Sequence, residues 1–161
     1  MEKKKILFVC LGNICRSPAA EGIFKKKLKE RGLEQFYIVD SAGTAGYHKG
    51  ELPDSRMRMH ASRRNYDLIS RSRPIGHDDF FDSDLIIGMD DNNISDLKRM
   101  APDAESEKKI KRMTDYCRLH LDDHVPDPYY GGSSGFEHVL DLLEDACEGI
   151  IELDSSLIPG K

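Results

Sequence analysis

The sequence predicts an α/β fold: an open, mostly parallel four-stranded sheet with helices on both faces and an anion-binding loop after the first strand. Three observations lead there. Apolar runs of strand length alternate with helical patterns, the order that builds parallel strands joined by crossover helices. The first run, Ile6-Leu7-Phe8-Val9, stops at a cysteine and a short glycine-containing loop before a helical pattern begins. Near the end, Phe136, Val139, Leu140, Leu143, Ala146, Cys147, Ile150 and Ile151 recur at helical spacing.

Taken in order, residues 4–9 read as a buried parallel strand. Pro18 opens a helix at its first position, where the missing N–H is not needed. That helix runs to Arg31 and ends at Gly32, a C-cap residue. Residues 36–39 read as the second strand. The small-residue stretch Asp40 to Gly46 follows, either a loop that lets backbone pass close to a neighbouring site or a plain surface turn. Pro53-Asp54 signals a helix reaching Asn65. Residues 83–89 are the clearest later strand, 91–100 a helix stopped near Pro102, and 108–113 a short edge strand. Residues 134–153 form the long amphipathic helix, with Cys147 on its apolar stripe. In such a sheet the first loop lies at the carboxyl edge of the strands, the expected ligand position, and Asp90 and Asn93 fall at the same edge.

A chain of 161 residues with 33% charged and 39% apolar residues fits one soluble domain, 1–161. A net charge of −5 argues against generic nucleic-acid binding. No apolar run reaches the length of a membrane span. Lys3-Lys4-Lys5 before Ile6 only faintly imitates a signal peptide, because the apolar run is too short. Cytoplasmic residence is the expectation, with Cys10, Cys15, Cys117 and Cys147 as thiols. Their spacing makes no paired knuckle for zinc. Six arginines between Arg56 and Arg73 make that region locally basic. It reads as a solvated helix face plus a loop; the sharper alternative is a docking surface for an acidic partner or phosphopeptide flank. His60 falls there and receives no role.

The chemistry concentrates in Cys10-Leu11-Gly12-Asn13-Ile14-Cys15-Arg16-Ser17-Pro18. Backbone N–H groups of a tight loop converge on one point, and the helix N-terminus adds free donors and its dipole. Such a site holds an oxyanion and favours the thiolate form of a cysteine, the reactive one. Arg16 carries a planar fork that matches two phosphate oxygens. The plain alternative is an inert core cysteine ending a strand. A second candidate is Asp127, in Asp122-Asp123-His124-Val125-Pro126-Asp127-Pro128-Tyr129-Tyr130. The flanking prolines stiffen its backbone, which suits a general acid that must reach one oxygen and equally suits a rigid surface turn.

Cys10 to Ser17, the N-terminal position of that loop, the chain length and the later Asp127-Pro128-Tyr129-Tyr130 together resemble the low-molecular-weight protein tyrosine phosphatases, over essentially the whole chain. The resemblance implies a flavodoxin- or Rossmann-like fold with its phosphate loop after the first strand. It implies phosphotyrosine hydrolysis without metal or cofactor: Cys10 as nucleophile, Arg16 as phosphate ligand, Asp127 as acid and then base. Leu11, Gly12, Asn13, Ile14, Cys15 and Ser17 would hold the phosphate through the loop, with Ser17 also donating to the sulfur and Asn13 bracing the backbone. Ser41 would lie beside the loop, and Asp90 and Asn93 near it. Tyr47 and Tyr129 would flank the phenyl ring, with Tyr130 pointing outward. Cys15 either fills space or captures an oxidised Cys10 as a disulfide. Phosphate, vanadate or a similar oxyanion would occupy the site, a phosphotyrosine protein such as a tyrosine kinase would be the substrate, and the chain would act as a monomer.

Two features sort this chain among relatives. Members specialised for phosphoarginine carry threonine where Ile14 stands, so Ile14 favours phosphotyrosine over the protein-arginine-phosphatase alternative. An arsenate reductase of the same fold needs further cysteines after the Met89-Asp90 pair, and residues 89–116 contain none. One departure is Ile69-Ser70-Arg71-Ser72-Arg73, where many relatives place a histidine that supports the loop asparagine. That brace is missing, or Ser70 replaces it.

Overall fold

The computed structural model describes residues 3–130 and 132–155, with the side chains of Tyr130 and Ser155 outside that description. Among the described residues four strands form one wholly parallel sheet: β1 (Lys4–Cys10), β2 (Tyr37–Gly43), β3 (Leu85–Gly88) and β4 (Ile110–Arg112), in the order β2-β1-β3-β4. The helices are α1 (Arg16–Glu30), α2 (Ser55–Ser62), α3 (His77–Asp82), α4 (Asp91–Met100), α5 (Ala104–Glu107) and α6 (Ser133–Ser155).

Central β1 is apolar on both sides because both of its faces are covered. Ile6, Phe8 and Cys10 face a core built with α1 and α6, where Phe8, Phe24 and Tyr37 pack edge to face. Leu7 and Val9 face a second core with Phe80 and Leu97, from α3 and α4. Cys147 is fully buried in the first core, as its position on the apolar stripe suggested. Gly149 lets α6 pass against the turn at Met113–Tyr116, since a Cβ there would meet the Tyr116 carbonyl oxygen at 1.9 Å.

The structure revises several boundaries. Helix α1 begins at Arg16 rather than Pro18. Proline is tolerated at the third helical position because the first-turn N–H groups have no intrahelical acceptor. Arg16 and Ser17 therefore belong to the helix N-terminus. Strand β2 extends to Gly43, so Asp40 to Gly43 pair with Leu7 to Cys10 instead of forming a loop. Gly43 makes this possible: a Cβ there would lie 2.7 Å from the Leu11 carbonyl oxygen. Helix α2 stops at Ser62, before Asn65 turns the chain at a left-handed φ of 67°. Helices α3 and α5 are additions, with six and four residues each. They are too short to print a period on the sequence.

The basic segment is a solvated face only in part: Arg58, Arg63 and Arg71 are exposed, while other members are held by partners. Arg64 pairs with Glu137, Asp141 and Glu144 of α6. Arg73 joins Asp40 to Asp79. Arg56 lies over the Tyr129 and Phe136 rings. His60 is buried and stacked on Phe136, with centroids 5.3 Å apart. Its Nδ1 is bonded to Glu137.

Candidate active site

The site grows from the carboxyl end of β1. Cys10 is the last strand residue, 3% exposed, and residues 11–15 form the loop into α1. The loop carbonyls are tied outward. Cys10 O accepts from Thr44 N at 2.9 Å, Leu11 O from Ala45 N at 3.0 Å, and Ile14 O from Asp54 N at 2.8 Å. Gly12 O accepts from the Ser72 hydroxyl at 2.9 Å. With successive carbonyls turned out, the amides turn into the concavity and join the free donors of α1. Asn13 supplies the reversal, at a left-handed φ of 57° that asparagine tolerates.

A buried polar chain fixes the loop from behind. Asn13 Nδ2 donates to Ser17 Oγ at 2.7 Å and to Ser41 Oγ at 3.0 Å. Ser41 Oγ donates to Glu21 Oε1 at 2.6 Å, and Glu21 also pairs with Lys25. Ser17 Oγ lies 3.1 Å from Cys10 Sγ. Asn13 Oδ1 accepts from Arg73 N at 3.1 Å. The loop is thus braced from the 72–73 segment by Ser72 and the Arg73 backbone. Ser70, the proposed replacement for the missing histidine, makes no side-chain hydrogen bond to the loop among the described residues.

Arg16 is 2% exposed and clamped from behind. Its NH1 donates to Asp90 Oδ2 at 2.6 Å and to the Val125 carbonyl at 2.9 Å. Asp90 is in turn the N-cap of α4, accepting from Asn93 N at 2.8 Å, while Asn93 Oδ1 accepts from Met89 N at 3.2 Å. Burial works against the Arg16 charge, yet the facing Cys10 sulfur, the bonded Asp90 and nearby Asp127 outweigh it and raise its pKa above the ordinary value. The Arg16 clamp on Val125, with Val125 N donating to Met89 O at 2.8 Å, also seats the segment that carries Asp127.

Cys10, Arg16 and Asp127 line one cavity. Asp127 Oδ2 stands 3.8 Å from Arg16 NH2, and its other oxygen accepts from Tyr129 N at 3.0 Å. Leu11, Gly12, Ile14 and Cys15 form the floor and sides, with Tyr47 and Tyr129 at the rim. Asn13, Ser17 and Ser41 stand behind the loop, and Asp90 and Asn93 behind Arg16. Tyr47 is 76% exposed and Tyr129 38%, so the rim is open and aromatic. The side chain of Tyr130 lies outside the described residues. Cys15 is a free thiol; burial, and then the charges of Asp54, Cys10 and Asp127, push its pKa well up.

Sequence reasoning missed Glu21, His48, Ser72 and Arg73. Glu21 carried one usable signal, an acid on the otherwise apolar face of a helix. His48 lines the cavity beside Gly12, where a Cβ would meet its ring at 3.0 Å. It is bonded to Glu51 at 2.7 Å.

This arrangement of converging amides, guanidinium and sulfur suits a tetrahedral oxyanion, and comparison with known proteins agrees. The family model described as low molecular weight phosphotyrosine protein phosphatase matches residues 5–157. The low molecular weight protein-tyrosine-phosphatase of Streptomyces coelicolor is 35% identical over 159 residues, covering 98% of this chain and 97% of that protein. The crystal structure of a protein tyrosine phosphatase from Entamoeba histolytica, with Hepes in its active site, is 48% identical, with a TM-score of 0.92 over 97% of this chain and 100% of that one. YfkJ from Bacillus subtilis is 37% identical, with a TM-score of 0.90 over 98% of each chain. A family model matched from residue 5 to residue 157, whole-chain relatives and a shared fold leave one assignment: the chain belongs to the low molecular weight phosphotyrosine protein phosphatase family.

Proposed function

We propose that this chain is a protein-tyrosine phosphatase that hydrolyses phosphotyrosine monoesters through a phosphocysteine intermediate, with the whole of 1–161 as one catalytic domain. The observation that carries the reading is the single cavity lined by Cys10, Arg16 and Asp127.

The Cys10 thiolate attacks phosphorus in line with the scissile bond. A P–S bond forms as the P–O bond breaks, and the departing phenolate takes a proton from the Asp127 carboxyl. Water then attacks the phosphocysteine, Asp127 takes its proton, and the sulfur leaves as thiolate while inorganic phosphate is released. Arg16 and the amides of 11–17 hold the equatorial oxygens, where the charge of the transition state is spread. Ser17, whose oxygen accepts from Asn13 and whose hydroxyl also reaches the Ala42 carbonyl at 3.4 Å, donates to the nearer sulfur at 3.1 Å. That bond stabilises the leaving thiolate of the second step.

Tyr47 and Tyr129 supply flat walls for the phenol ring. Ile14, lining the cavity without a hydroxyl, favours phosphotyrosine over phosphoarginine. The substrate is a phosphotyrosine protein, and phosphate or vanadate occupies the same cradle, in keeping with the Hepes held by the Entamoeba relative. We place the enzyme in the cytoplasm as a monomer. No helix among the described residues is long and apolar enough to cross a membrane. The test is hydrolysis of an aryl phosphate at mildly acidic pH. Turnover that Cys10→Ser abolishes supports the reading; no turnover by the wild type, or full turnover by Cys10→Ser, overturns it.

A further inference from the structure

The catalytic cavity has a neighbour. Ile14, His48 and Tyr129 are walls of both, and the second cavity is completed by the loop before α2 together with Arg58 and Arg71. These two arginines differ from most others in the chain. Arg16, Arg56, Arg64 and Arg73 each pair with a carboxylate. Arg58 and Arg71 are anchored only through backbone carbonyls: Arg58 Nε donates to Pro53 O at 2.9 Å and Arg71 NH1 to Gly50 O at 3.2 Å. Neither makes an ion pair among the described residues. The chain therefore keeps two exposed cations beside the catalytic pocket although its net charge is −5.

Two acids also line this cavity, and both are engaged. Glu51 is bonded to His48 Nδ1 at 2.7 Å. Asp54 is the N-cap of α2, accepting from Arg56 N at 2.8 Å and from Met57 N at 3.3 Å. They leave the remaining guanidinium donors of Arg58 and Arg71 as the open valence of the site.

We propose that this second cavity is a subsite for an acidic side chain next to the phosphotyrosine, so that Arg58 and Arg71 select substrates with Asp or Glu close to the phosphorylated residue. The inference rests on the phosphatase reading above. Cavities that share three walls are bridged by a peptide without a break, because an extended chain advances only about 3.3 Å per residue. The guanidinium fork matches a carboxylate. The rim setting means that most of the selectivity enters through association and is screened by salt.

The test compares phosphotyrosyl peptides that differ only in charge at the flanking positions (Glu, Gln or Lys), scanned on each side of the phosphotyrosine, with an aryl phosphate run in parallel. Each exposed ion pair contributes a factor of a few, so the Glu peptide is expected to exceed the Gln peptide in kcat/KM by about tenfold at low salt. That ratio falls toward one in R58Q/R71Q and in high salt. Equal kcat/KM across the Glu, Gln and Lys peptides overturns the subsite while the phosphatase reading stands. A ratio unchanged in the folded double variant also overturns it. No turnover of the aryl phosphate condemns the phosphatase reading itself. The peptide series on the wild-type enzyme needs no variant, so the inference stays testable if R58Q/R71Q does not fold.

Discussion

Ser17 Oγ lies 3.1 Å from Cys10 Sγ, accepts a hydrogen bond from Asn13 Nδ2 at 2.7 Å and reaches the Ala42 carbonyl at the longer distance of 3.4 Å, so the sulfur is the nearer partner for its hydrogen. The bond acts where the sulfur carries charge, before attack and again when it leaves. Ser17→Ala is expected to slow the second step more than the first, lowering kcat by roughly tenfold to a hundredfold, the scale for removing one donor from developing charge. Rapid-mixing kinetics with an aryl phosphate should then show a burst of phenol. A kcat within twofold of wild type would remove Ser17 from the step.

Asp127 stands 3.8 Å from Arg16 NH2, with one oxygen engaged by the Tyr129 amide and the other turned to the cavity. Asp127→Asn keeps that amide contact and loses the proton. Aryl phosphate hydrolysis is expected to fall by roughly 10²–10⁴, the range for a general acid. The loss should shrink for leaving groups that need no protonation. A uniform loss across leaving groups would mean that Asp127 only shapes the loop.

The brace from the 72–73 segment separates two neighbouring serines. Ser72→Ala leaves the Gly12 carbonyl without its 2.9 Å donor, costs about 1 kcal/mol of loop order and slows turnover several-fold. Ser70→Ala touches no loop atom and should leave kcat unchanged. Equal effects of the two substitutions would show that the segment acts only through its backbone.

What sequence could carry depends on how far apart the partners lie. Cys10 to Ser17 are contiguous, so one loop displays nucleophile, guanidinium and helix start together. Asp127 was legible through its paired prolines and through resemblance. Glu21 showed only as an acid on an apolar helix face, and Ser72 and Arg73 not at all, because their roles exist only once β1, β2 and the 72–73 segment are side by side. The same holds for Arg64 and Arg73, which read as solvated charge until α6 and α3 supply their acids. His48 sits in no local pattern, and only the closure of the 44–54 segment over Gly12 brings it to the cavity.

Ile14 presents an apolar wall where a hydroxyl would change the polarity of the pocket. Ile14→Thr is expected to raise the ratio of phosphoarginine to phosphotyrosine kcat/KM by up to about tenfold, the size of one added hydrogen bond. Competition assays with the two phosphopeptides measure it directly. An unchanged ratio would show that Ile14 does not read the substrate.

Asp145 links acid stability to the segment that leads into Asp127. Its carboxylate, 5% exposed on α6, accepts from the amides of Arg118, Leu119 and His120 and from the His120 ring. Burial opposes its charge, but the Arg118 amide, the His120 ring and the other amides outweigh that and hold its pKa at about 2. The folded pKa is lower than the unfolded one, so the unfolded chain binds the proton first. The stabilisation is complete above the ordinary carboxylate range and drains away as pH falls through about 2. It amounts to about 2 kcal/mol. Urea unfolding across this acid range should show wild-type stability converging on that of Asp145→Asn as pH falls, with the variant weaker near neutrality by about 1–3 kcal/mol. Curves that stay parallel would mean that Asp145 does not titrate with unfolding.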